Sequence, residues 1–169
     1  IIDSPDLSDR LVIIERNLIA GNAMVGLGLM DNGDTLEDFR AASIPEPIRV
    51  FNNTFVNNPY GLTGGDNLVA VNNLFVGSAT LAMKQVDGAS IAAYNLFWNN
   101  GIDQQGSNLD LATTLFADPL LDVDFQLGPG SPAIDAGTTS FSWQGQTVLE
   151  LVASQYRGPA PDLGAYEAD

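Results

Sequence analysis

Hydrophobic and polar positions alternate along this chain in short bursts, and the bursts recur around one phrase. The phrase reads Arg16-Asn17-Leu18-Ile19, Asn52-Asn53-Thr54-Phe55, Asn72-Asn73-Leu74-Phe75 and Tyr94-Asn95-Leu96-Phe97. Five and three residues before its Asn stand Val12 and Ile14, Ile48 and Val50, Leu68 and Ala70, and Ser90 and Ala92. Two residues after it stand Ile19, Phe55, Phe75 and Phe97. A period of two over so few residues marks a short strand with one buried face. Asn accepts left-handed backbone angles, so the Asn between the two apolar columns is expected to turn the chain from one strand into the next.

The spacing of the copies sets the architecture. Asn53, Asn73 and Asn95 follow one another at 20 and 22 residues, and the 36 residues from Asn17 to Asn53 equal one period plus an insertion. A repeat of that length signals stacked supersecondary units. Strand, Asn corner and strand predict an all-β chain, a right-handed parallel β-helix of about four coils. Like residues then stack about 4.8 Å apart, and Asn17, Asn53, Asn73 and Asn95 are expected to bond to one another as a ladder. A second small polar position follows five residues on, at Asn22, Asn58, Ser78 and Asn100. Asn52 also satisfies the glycosylation pattern Asn-x-Thr, and Trp98, next to the inward column, is expected to face out as a candidate for sugar stacking. The shared position in all four copies favours a structural corner over a ligand site.

The pattern divides the chain. Residues 1–103 carry the coils, with an insertion at 31–47, and residues 104–169 form a non-repeating segment expected to cap the last coil. Within the insertion, 34–39 reads as a capped helical turn. Asp31, Asp34 and Asp38 supply oxygen ligands suited to calcium, without the full spacing of a calcium loop.

Composition changes the picture in three ways. Twenty-one acidic against six basic residues give a formal net charge of −15, a surface that repels nucleic acid. The absence of His and Cys removes histidine bases, thiolate chemistry and Cys-based zinc sites. No apolar run is long enough to span a bilayer. The 169 residues suit one domain, and a start at Ile1 rather than Met leads us to expect a processed chain or part of a longer one.

The most specific stretch lies near the end. Phe116-Ala117-Asp118-Pro119-Leu120 leads to Gly130-Ser131-Pro132-Ala133-Ile134-Asp135-Ala136-Gly137, then to Arg157-Gly158-Pro159-Ala160-Pro161-Asp162-Leu163-Gly164-Ala165-Tyr166-Glu167. With the Asn-x-Phe coils, this resembles the C-terminal end of secreted bacterial right-handed parallel β-helix proteins, the pectate-lyase-like superfamily, particularly those with a choice-of-anchor ending. The resemblance implies an extracellular or cell-surface location and leaves activity open, since that superfamily holds lyases, hydrolases, epimerases and adhesins. It also implies that a polysaccharide lyase would use a Lys or Arg base beside acidic residues; Lys84, Arg49, Arg10, Arg16 and Arg40 are the cations on offer.

Asp135, Arg157, Asp162 and Glu167 are expected to form an ion-pair cluster within the cap, with general acid–base catalysis as the functional alternative. Ile134 and Leu163 are expected to close the apolar end of the last coil. The expected function is a structural or adhesive β-helix, such as a subunit of a surface assembly or filament, joined to polysaccharide or to neighbouring copies through its N-terminal coil. The alternative is the C-terminal part of a polysaccharide lyase or glycoside hydrolase whose site lies in coils upstream.

Overall fold

The computed structural model describes residues 2–3, 11–30 and 47–168. Among these residues the regular structure is all strand. Strand β1 (Ile2–Asp3) precedes four strand triplets. They are β2 (Val12–Glu15), β3 (Leu18–Ala20) and β4 (Val25–Met30), then β5 (Ile48–Phe51), β6 (Thr54–Val56) and β7 (Tyr60–Thr63). Next come β8 (Leu68–Val71), β9 (Leu74–Val76) and β10 (Leu81–Lys84), then β11 (Ile91–Ala93), β12 (Leu96–Trp98) and β13 (Gln104–Gln105). A short β14 (Leu115–Phe116) and a hairpin of β15 (Ser140–Trp143) and β16 (Gln146–Glu150) follow.

The members of each triplet go to three different sheets, ordered β2–β5–β8–β11, β3–β6–β9–β12–β14 and β1–β4–β7–β10–β13. Pairing within all three is parallel, and the hairpin is antiparallel. Val50 lies opposite Ala70, and Phe55 opposite Phe75, so equivalent positions of successive repeats meet. This order is compatible with a solenoid, because each triplet contacts chiefly its neighbours.

One core is lined from all three sheets by residues that include Ile48, Val50, Leu68, Phe55, Phe75, Leu62 and Met83. The Phe column is stacked, with ring centroids 4.8 Å apart between Phe55 and Phe75 and 5.0 Å between Phe75 and Phe97. Ser90 sits at an inward position without breaking the core. Its hydroxyl accepts from Leu68 N and donates to Gly65 O, both at 2.8 Å.

The corner is built differently from the expectation. The left-handed residue is not the repeated Asn but the one before it: Arg16, Asn52, Asn72 and Tyr94 have φ of 56°, 51°, 61° and 51°. The turn at that position frees the next residue to point its amide inward. Asn53 Nδ2 donates to Asn73 Oδ1 at 3.1 Å, and Asn73 Nδ2 to Asn95 Oδ1 at 2.9 Å. The backbone N–H groups of Asn17, Asn53 and Asn73 donate to the same oxygens one repeat on. Each buried amide also serves strand carbonyls; Asn73 Nδ2 reaches Val50 O and Val71 O. Buried polar groups need such partners, and the column supplies them to itself.

A second corner repeats the device. Gly21, Asn57, Gly77 and Asn99 are left-handed there. Asn22 Nδ2 donates to Asn58 Oδ1 at 2.9 Å, and Ser78 N to Asn100 Oδ1 at 2.8 Å.

Of the segment expected to cap the last coil, β13, Leu109 and β14 stack on β10, β11 and β12, and the residues beyond them run as a lateral strap. Leu149, Phe141 and Trp143 of the hairpin pack on Phe51, Val69 and Val71, the outer face of the β5–β8 pair. Leu163 and Ala133 pack on Leu74 and Leu96, outside β9 and β12. Leu163 therefore covers a side of the stack rather than its end, and half-buried Ile134 lies on a cavity wall. The physical reason is the outer face itself: these strands are apolar on both sides, as parallel strands usually are, so the second side requires a cover.

The left-handed corner residues stitch the strap in place. Asn72 and Thr138 exchange two bonds, Asn72 Nδ2 to Thr138 O and Thr138 N to Asn72 Oδ1, each 2.9 Å. Asn52 Nδ2 donates to Asp162 O at 3.2 Å, and Tyr94 meets Phe141 edge to face at 6.4 Å. At the far end, Arg16 Nη2 donates to Gln155 O at 2.7 Å.

Candidate functional site

Where the strap reaches the first triplet, it leaves two adjoining cavities of about 310 and 380 Å³. They share Gln126 and Glu167. Arg16, Gln155, Tyr156, Arg157 and Tyr166 line the first, whereas Asp122, Leu127, Pro129 and Ile134 line the second. Arg16 arrives from the β2–β3 corner, whose left-handed backbone turns its side chain onto the strap. The other walls come from residues 122–134 and the turns at 154–157 and 165–168, and Ala165 N is tied to Thr54 Oγ1 at 2.9 Å.

Of the four residues expected to form an ion-pair cluster, the three carboxylates accept main-chain N–H groups. Asp162, only 3 % exposed, accepts from Asp135 N at 2.7 Å with Oδ1 and from Ala168 N at 2.6 Å with Oδ2. Glu167 accepts from Arg157 N at 2.9 Å and Asp162 N at 3.3 Å. Asp135 Oδ1 accepts from Ala160 N at 3.4 Å. These carboxylates fold the strap's turns by satisfying N–H groups that the irregular backbone cannot pair with itself. Burial raises the Glu167 carboxyl above its ordinary range; the Arg157 N–H opposes this, Asp162 adds repulsion, and the Asp162 N–H and the Arg16 charge pull it back down.

Other expected positions separate. Asn52, which matches the glycosylation pattern, is 4 % exposed, and its amide nitrogen donates to Asp162 O. Trp98 faces outward at 41 % exposure, on β12. Lys84 sits 6.0 Å from the Tyr60 ring centroid of the neighbouring strand β7, and buried Arg49 donates Nη1 to Ile48 O at 3.2 Å. Burial lowers the Arg49 pKa. Asp31, Asp34 and Asp38, with Arg10 and Arg40, lie outside the described residues. Among the described residues no group of three or more acidic side chains is placed to hold a metal, and no helix is long and apolar enough to cross a membrane.

Sequence reasoning missed the first position of each corner as a contact column. Its signal was present: beside an invariant Asn, that position varies as Arg16, Asn52, Asn72 and Tyr94, as expected of side chains that face different parts of a non-repeating strap. Compared with protein-family models, curated proteins and solved structures, the chain matches none.

Proposed function

We propose that the chain is a right-handed parallel β-helix of the pectate-lyase-like kind, working outside the cell as a structural or adhesive module. The observation that carries this reading is the use made of the C-terminal segment. Its apolar residues cover two sides of the stack, and Asp135, Asp162 and Glu167 hold its turns by accepting main-chain N–H groups. A strap of this kind rigidifies a scaffold. It also commits the carboxylates that general acid–base chemistry would need.

Assembly partners are proposed at the first triplet. Among the described residues, β2 and β3 pair on one side only, and Leu11 and Ile13 beside them are more than half exposed. Unpaired strand edges recruit further strands. Neighbouring copies or a surface polysaccharide are the proposed partners.

The test is to incubate the protein with neutral and acidic polysaccharides, follow retention and chain length together, and measure particle mass across concentration. Retention with unchanged chain length, or growth in mass, is expected. New chain ends would overturn the reading and favour a second one, the C-terminal part of a lyase or hydrolase. That alternative is supported by the cavity that brings Arg16, Arg157 and Glu167 together.

A further inference from the structure

We propose that Asp87-Gly88 is a site of spontaneous covalent modification, where the folded chain isomerises to isoaspartate through a cyclic imide. It is the one Asp-Gly pair of the sequence. Residues 87–90 form a tight turn closed by Ser90 N donating to Asp87 O at 2.8 Å, with Gly88 left-handed at φ 57°. A side chain at 88 would strain that backbone and meet Asp66 O at 3.1 Å, so the turn requires glycine there. Asp87 N and Ala89 N are committed to Gly65 O and Asp66 O, but Gly88 N, between them, donates to no acceptor among the described residues. Gly88 is exposed and Asp87 half-buried, so water reaches the turn.

The step needs no reactant but water. Gly88 N attacks Asp87 Cγ, its proton and the carboxyl hydroxyl leave together as water, and a succinimide closes. Water then adds to either ring carbonyl. One opening restores Asp87, and the other leaves the main chain running through Cγ, with nothing oxidised or reduced. The hydroxyl leaves only from the neutral carboxyl, a form that burial, and then the bond and charge of Asp66, favour at Asp87. The isomer adds a methylene to the main chain at the entry to β11, where Ser90 has to hold Leu68 N and Gly65 O.

Asn100-Gly101 supplies the contrast. Ammonia leaves a neutral amide more readily than water leaves a carboxyl that is mostly ionised, so in an unfolded chain this pair reacts first. In the fold, Gly101 N is bound to Ser78 O at 2.8 Å, and the Asn100 amide is held by Ser78 N, Phe75 O and Asp103 Oδ1. The ring cannot close there until the corner opens. Folding therefore reverses the order of reactivity, and it does so whether or not the protein assembles.

The test is to age the whole chain at neutral pH with and without urea, then digest it after aromatic residues, which separates the two pairs. Isoaspartate is read by enzymatic methylation of its carboxyl, and deamidation by mass. In urea the pair at 100 should react first. In the folded chain isoaspartate should form at 87 at least about tenfold faster than any change at 100, which waits on a local opening. Asp87→Asn places the same chemistry at both positions, and in the folded variant deamidation at 87 should again lead by at least about tenfold. The parent needs no substitution, so its result decides even if the variant folds poorly. No isoaspartate at 87, reaction at 100 first in the folded parent, or equal rates at the two positions in folded Asp87→Asn would overturn the assignment.

Discussion

The repeated stack and the strap along its side use the same residue types in opposite ways. In the stack, Asn53, Asn73 and Asn95 bond to their own equivalents, and Phe55, Phe75 and Phe97 pack on their own equivalents. In the strap, no position repeats, and each polar group finds a different partner: Asp162 the turns at 135 and 168, Thr138 the Asn72 amide. The stack is thus held by repetition and the strap by individual fit. A change in the stack should spread to neighbouring repeats, whereas one in the strap should stay local.

The largest expected effect breaks the stack. Phe75→Ala removes a fully buried ring lying between two others, and should cost about 3–5 kcal/mol in denaturant unfolding. Hydrogen exchange should rise in β6 and β12 as well as β9. Protection lost in β9 alone would mean that the repeats do not act together.

Next comes the ladder. Asn73→Ala deletes an amide that donates to Val50 O, Val71 O and Asn95 Oδ1 and accepts from Asn53, so a loss of about 2–3 kcal/mol is expected. A change near zero would show that the inner column carries no weight.

The seam sharpens the comparison. Asn72→Gly keeps the left-handed corner while removing both bonds to Thr138, and should cost about 1–2 kcal/mol. Limited proteolysis should then cut within the strap before the stack. Cleavage appearing first in β8 or β9 would show that the strap and stack open as one.

The smallest effect is one of charge. Burial raises the Asp87 carboxyl pKa, and the neighbouring Asp66 adds a side-chain bond and a charge that raise it further. A folded-state pKa above the unfolded one means that the folded chain binds more protons in the window between them. Stability therefore falls as pH rises from the ordinary carboxylate value through the raised one. Asp87→Asn should remove that part of the slope, so its melting advantage over the parent should widen with pH and then level off. An advantage that does not change with pH would contradict the coupling to Asp66.

What was legible in the sequence follows the same division. Period and inward residues could be read because each repeat states them again, as Ile48 and Val50, Leu68 and Ala70, Phe55 and Phe75; the third strand of each repeat, β4, β7, β10 and β13, was not among the two read per coil. The left-handed position was misplaced because two of the four corners read Asn-Asn, where either residue satisfies the local preference. Arg16 and Tyr94 adopt that backbone against their own preference, a choice made by the stack rather than by local propensity. The strap's path was not legible, since nothing in residues 130–137 states which face of the stack they meet. Nor was the site, which exists only where Arg16 and the 154–168 turns converge across the fold.

The Asn column has a direction. Each Oδ1 of Asn53, Asn73 and Asn95 accepts from the repeat that precedes it, so the column's backbone N–H donors and side-chain acceptors run in one order. At the opposite end the series gives way to Thr113 and Thr114, whose hydroxyl oxygens accept from Tyr94 N and donate to Asp110 O, respectively. The two ends of the column are therefore unlike. Two copies brought together through their β2 edges would set like ends of the column against each other, beside Glu15 of each. A neighbour that continues the column must instead arrive with N–H groups foremost, which gives growth from that edge a handed, one-way order.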